Sequence, residues 1–155
     1  MSAAEPGPAE RLRELLTRVL DACRVGGSIE VEEDEDSLRG TIRGEDLGLL
    51  IGRHGETIDA LQHLGSRIAY RDAEPRKRVV VDAAGYRDRR AAVLERQADR
   101  AVAEAARSGR PVALEAMPAA ERRLVHEYLR DKPEIETYSE GQEPQRHLVV
   151  APVVS

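Results

Sequence analysis

The sequence predicts an α+β protein of two small domains, and three observations carry that reading. Apolar residues recur at spacings of three and four in some stretches and alternate with polar residues in others. A Gly-x-x-Gly turn, Gly52-Arg53-His54-Gly55, separates two helical stretches. After Ala83 a second series of elements begins, and 155 residues suffice for two modest cores.

The elements follow in order. Residues 1–8 are rich in Pro, Gly and Ala and are expected to be disordered. Leu12, Leu15, Leu16, Val19, Leu20 and Cys23 mark the apolar face of an amphipathic helix that Gly26-Gly27 ends. Ile29 and Val31, then Leu38 and Ile42, alternate with polar residues and predict a hairpin. The acidic run Glu33–Asp36 forms its solvated turn. Asp46 is placed to cap a short helix containing Leu47, Leu49, Leu50 and Ile51. A second helix after the Gly-x-x-Gly turn points Ile58, Leu61, Leu64 and Ile68 inward. Val79–Val81 is a buried strand. The first domain therefore reads α-β-β-α-α-β.

After Gly85 a long helix buries Tyr86, Val93, Leu94, Ala98, Ala101 and Ala105, and Gly109-Arg110-Pro111 ends it. Val112–Ala116 is a strand. Pro118 opens a helix with Leu124, Val125, Tyr128 and Leu129 inward. Ile135–Tyr138 and His147–Val150 are closing strands, which gives α-β-α-β-β. Almost no linker separates the two series.

Composition narrows the function. The chain has no Phe, no Trp and four Tyr, so its core is aliphatic and aromatic stacking is not its main hold on a nucleic acid. Cys23 is the single cysteine, which excludes an intramolecular disulfide and suits a reduced compartment. His54, His63, His126 and His147 lack metal-ligand spacing, so neither a metal nor another cofactor is expected. The N-terminus has no basic start followed by an apolar stretch, and no apolar run reaches the ~20 residues of a membrane span. A cytoplasmic protein without membrane insertion is expected. Net charge is -5, but residues 39–130 hold eighteen bases against fourteen acids. Local patches decide phosphate binding, so the total excludes nothing.

The Gly52–Gly55 turn has a specific chemistry. Glycines at both ends let the backbone turn sharply and keep side chains away from a ligand. The following helix offers free N–H groups to an anion. Arg53 and His54 add a cation and a titratable donor, and Leu50 and Ile51 supply apolar surface. A phosphate-binding edge beside an apolar groove suits single-stranded nucleic acid. Glu56 at the helix start stabilises the helix but repels a phosphate. No phosphate-loop or dinucleotide fingerprint is present. On the later helix, Arg122 and His126 share one face, Arg130 continues it and Arg123 lies beside it. The bare pattern also describes an ordinary solvated face. No serine or cysteine nucleophile accompanies His126 in a recognisable motif, so no catalytic residue is assigned.

Four stretches in order resemble the Jag family, also called KhpB or SpoIIIJ-associated proteins, of bacterial RNA-binding proteins. They are GEDLGLLIGRHGETIDALQ from Gly44 to Gln62, Val80–Ala83 with Gly85–Arg90, Glu121–His126, and Glu136–Gly141 with Pro144. The resemblance implies a type II KH domain over residues 9–84 and an Arg-x-x-x-His (R-3-H) domain over 85–153. It implies binding of single-stranded RNA and admits single-stranded DNA. Gly52, Arg53, His54 and Gly55 match the family's KH loop, and Arg122 and His126 match the name-giving pair. The resemblance also implies a small KH-domain partner protein and a role in cell elongation or division. Many relatives carry a further N-terminal domain, and the loop more often holds Lys-Arg than Arg-His.

The expected function is therefore post-transcriptional RNA binding without catalysis. Gly52, Arg53, His54 and Gly55, with Leu50 and Ile51, form the first contact, and Arg122, Arg123 and His126 the second. The main alternative is a protein-interaction adaptor whose KH groove docks a partner. A nuclease using His54 or His126 is the weaker one.

Overall fold

The computed structural model describes residues 4–154. The chain divides into two compact units at the Arg87–Asp88 boundary. In the first, α1 (Pro8–Cys23) precedes β1 (Ser28–Glu33), β2 (Ser37–Arg43), α2 (Gly48–Ile51), α3 (Glu56–Ala69) and β3 (Arg78–Ala83). Strand β2 lies between β1 and β3, antiparallel to the first and parallel to the second. A parallel pair needs a crossover, and α2 and α3 supply it. Leu38, Gly40 and Ile42 of β2 point inward while Arg39 and Arg43 point out, the period-two pattern of a half-buried strand. Leu12, Leu16, Leu38, Ile42, Ile58 and Val81 are fully buried in this core. Truncating such a leucine to alanine costs about 2–5 kcal/mol.

The second unit is built on α4 (Tyr86–Ser108), whose first two residues belong to the first unit. It continues through β4 (Val112–Ala113), α5 (Ala119–Leu129), β5 (Ile135–Glu140) and β6 (His147–Pro152). The sheet is antiparallel with β6 in the centre. Leu94 and Ala98 of α4, Val125 and Leu129 of α5, and Leu148 and Val150 of β6 form its core. Small residues on α4 let the elements approach closely. Arg90 clamps Glu121 through two bonds, Nε to Oε1 at 2.7 Å and Nη2 to Oε2 at 2.9 Å, tying α4 to α5.

The fold is the expected α+β arrangement, α-β-β-α-α-β followed by α-β-α-β-β. Several details differ. Pro8 already lies in α1, where its missing N–H is an orphan in any case. The expected disorder over residues 1–8 falls in part on residues 1–3, outside the described residues. Helix α1 ends at Cys23, before Gly26-Gly27, because Arg24 takes a left-handed conformation with φ 54°. Cys23 is exposed, not apolar-faced, and Val25 beyond the turn packs on the core instead. Asp46 caps nothing: α2 begins after Leu47, which is itself buried and forms no side-chain cap. Leu64 and Tyr128 are exposed rather than inward. The buried stripe of α3 runs Ile58, Leu61, Gly65, Ala69 and leaves Leu64 to one side. The Tyr128 hydroxyl donates to Asp99 on α4. Strand β4 is shorter than Val112–Ala116, although Leu114 and Met117 still donate backbone bonds to Leu148 and Arg146.

Candidate nucleic-acid interface

In the first unit, Gly52 closes α2 with φ 72° and ψ 176°. A side chain there would collide with the Thr57 hydroxyl. Arg53–Gly55 form one tight turn closed by a bond from Gly55 N to Gly52 O at 3.2 Å. His54 adopts φ 54°, a left-handed conformation uncommon outside glycine but enriched in histidine. Gly55 follows at φ 74° and is the residue before α3. No side chain caps α3; the Glu56 N–H donates to Arg53 O, and the other N–H groups of the first helical turn are those that lack an intrahelical partner. Arg53 is exposed and His54 half-buried. The acids of the first helical turn are Glu56 and Asp59, and the Arg87 guanidinium pairs with Asp59 at 2.8 Å. That pairing offsets one of the two charges that would oppose a phosphate.

The apolar side of the turn differs from the expectation. Leu50 is only 1% exposed and belongs to the core, so it presents no surface. Ile51 is half-buried and packs on the same core. Leu49 is the exposed member, at 65%. Three consecutive apolar residues on a helix cannot all face one way, since each step turns the side chain by ~100°.

In the second unit, α5 and the β5–β6 hairpin enclose an open cleft of about 380 Å³. Arg122, Arg123 and His126 line it from the helix, Thr137 and Ser139 from β5, and Arg146 from the hairpin loop. The cleft brings together the three residues expected from sequence, but in unequal roles. Arg123 and His126 are exposed. Arg122 is 8% exposed, and its fork donates to Met117 O and Glu143 Oε1, each at 2.7 Å. It braces the loop rather than standing open to a phosphate. Arg130 pairs with Glu127 at 3.0 Å and does not line the cleft, so the expected basic stripe stops at His126. His126 Nδ1 is bonded to the Thr137 hydroxyl. Thr137, Ser139 and Arg146 escape the sequence reading. Alternation along β5 puts Ile135, Thr137 and Ser139 on one face, but sequence does not show that α5 lies over it.

A Gly-x-x-Gly turn between two helices of an α-β-β-α-α-β unit, followed by an Arg-x-x-x-His helix over a three-stranded sheet, defines a tandem KH and R-3-H protein. The family model for the KhpA/KhpB KH domain matches residues 9–82, and the R-3-H domain model matches residues 92–152. The chain is 36% identical over 140 residues to the RNA-binding protein KhpB of Clostridium symbiosum, covering 89% of this chain and 63% of that protein. It is 43% identical over 104 residues to KhpB of Lactiplantibacillus plantarum, covering 67% and 32%. It is 32% identical over 146 residues to KhpB of Bacillus subtilis, covering 93% and 70%. The chain belongs to the KhpB family. It spans less than two-thirds of the length of the first two of these relatives.

Proposed function

We propose that the chain binds single-stranded RNA through the Gly52–Gly55 loop, with the α5 cleft as a second phosphate-contacting surface. The observation that carries the reading is the loop itself. Two glycines give the turn its positive-φ backbone and leave room for Thr57 and Tyr86 against it, an exposed arginine stands on the turn, and no side chain caps the helix that follows. Backbone N–H groups and a cation at a helix start suit a phosphate chain. The three relatives are named RNA-binding proteins, which supports RNA as the ligand class. In this reading Arg53, His54, Gly52 and Gly55 hold the strand, and Ile51 and Leu49 flank it. Arg123, His126 and Arg146 contact phosphates in the second unit, and Arg122 keeps the loop beside them in place.

Finer parts of the proposal rest on the family resemblance: single-stranded DNA as a second ligand, a small KH-domain partner protein, and a role in cell elongation or division. We place the protein in the cytoplasm and assign it no catalytic role. No helix among the described residues is long and apolar enough to cross a membrane.

The exposure of Leu49 favours one further reading, an adaptor that docks a partner protein beside the loop. Binding of a labelled single-stranded oligoribonucleotide, followed by fluorescence anisotropy in the wild type and in loop variants, separates the two. An adaptor keeps its partner, and has no RNA affinity to lose, when Arg53 and His54 are replaced.

A further inference from the structure

We propose that Tyr86 is a positioning residue for the Gly-x-x-Gly loop, its ring edge holding Gly55 and the turn in the shape that meets RNA. The inference rests on the reading of that loop as the RNA contact. Gly55 is buried at φ 74°, and a Cβ built on it would lie 2.7 Å from Tyr86 Cε1 and 3.3 Å from the Tyr86 hydroxyl. The ring therefore stands directly against the loop backbone. Tyr86 lies past the end of the matched KH segment, residues 9–82. This support comes from the first residue of α4, not from the helices that flank the turn.

The ring has little freedom to retreat. Tyr86 packs on the core of the first unit. Its neighbour Arg87 donates through Nε to Val81 O at 2.9 Å, through Nη1 to Asp59 at 2.8 Å and through Nη2 to Gln62 at 3.1 Å. The Arg87 N–H donates to Asp82 Oδ1 at 3.3 Å, and the same oxygen accepts from Ala83 N at 2.9 Å. The start of α4 is thus fastened to both β3 and α3. The loop, by contrast, holds a non-glycine residue, His54, in the left-handed region directly before Gly55. Such conformations persist when surrounding structure holds them. A loop held before binding avoids the ordering cost that a mobile one carries into the complex.

The test measures affinity of the full chain for a fluorescein-labelled oligouridylate of about 12 nucleotides, together with amide hydrogen exchange. Tyr86→Ala should weaken binding by about tenfold and speed exchange selectively at residues 53–56. Tyr86→Phe keeps the ring edge and should bind within about twofold of the wild type. Should Tyr86→Ala fail to fold, Tyr86→Leu retains apolar bulk without the flat edge, and the same selective loss is expected of it. Wild-type affinity in the alanine or leucine variant, with Arg53→Asp/His54→Asp still losing RNA, would overturn the positioning role and leave the loop assignment standing. Exchange that rises evenly through the first unit would also overturn it, because Tyr86 would then support the fold alone. An absence of binding in the wild type itself would remove the loop assignment and this inference together.

Discussion

Arg122 Nη2 donates to Glu143 Oε1 at 2.7 Å, from a helix that buries the arginine to a hairpin loop that leaves the glutamate half exposed. The other half of the fork is taken by the Met117 carbonyl. The arginine of the Arg-x-x-x-His pair is therefore a brace between α5, the segment before it and the Gly141–Arg146 loop. Arg122→Ala leaves a buried carbonyl without its donor, and the expected loss is about 1–3 kcal/mol of stability. Chemical denaturation measures it. A loss under about 0.5 kcal/mol, as for an ordinary surface substitution, would contradict the bracing role.

Arg123, one residue on, is exposed and lines the same cleft. Arg123→Ala should leave stability within about 0.5 kcal/mol of the wild type. It should flatten the log-log salt dependence of RNA binding by about 0.7, the slope of one phosphate contact on a single strand. Anisotropy titrations over a range of salt concentrations read this directly. An unchanged slope would place the phosphate path elsewhere.

Asp34 gives a pH signature of the β1–β2 turn. Its carboxylate accepts from the Ser37 hydroxyl at 2.8 Å and from the N–H groups of Asp36 and Ser37 at 2.8 and 2.7 Å. The Ser37 hydroxyl first, then those N–H groups, hold its pKa below the ordinary 3.8. A depressed pKa stabilises the fold above the unfolded value, and the contribution is lost as pH falls through the folded value. Asp34→Asn should therefore melt at a lower temperature than the wild type at about pH 7, and the gap should close as pH falls below the ordinary 3.8 and through the lowered folded value. A gap independent of pH would show that the carboxylate charge is not what the turn uses.

Much of the fold was legible because its signals are local. Leu12, Leu16 and Leu20 repeat at four-residue spacing and are all buried. Leu38 and Ile42 keep strict alternation, and glycines flank the turn at Gly52 and Gly55. What sequence did not reveal depends on tertiary neighbours. Arg122 and Arg123 are adjacent and chemically identical, and only the positions of Met117 and Glu143 separate a buried brace from an exposed contact. Leu49 and Leu50 are likewise the same residue, and the packed core of the first unit decides which one is covered. Thr137, Ser139 and Arg146 join the candidate site because β5 and β6 fold under α5, a long-range fact without a local signature.

The central claim is that the Gly52–Gly55 loop grips a nucleic-acid backbone. The most direct measurement compares single-stranded RNA affinity of the wild type with that of Arg53→Asp/His54→Asp. The double change replaces an exposed cation and a half-buried histidine with two carboxylates on the turn, while Gly52 and Gly55 remain. Affinity is predicted to fall by about tenfold or more at about 0.1 M salt, with a far-ultraviolet spectrum that shows the fold retained. Equal affinity in a folded double variant would contradict the account.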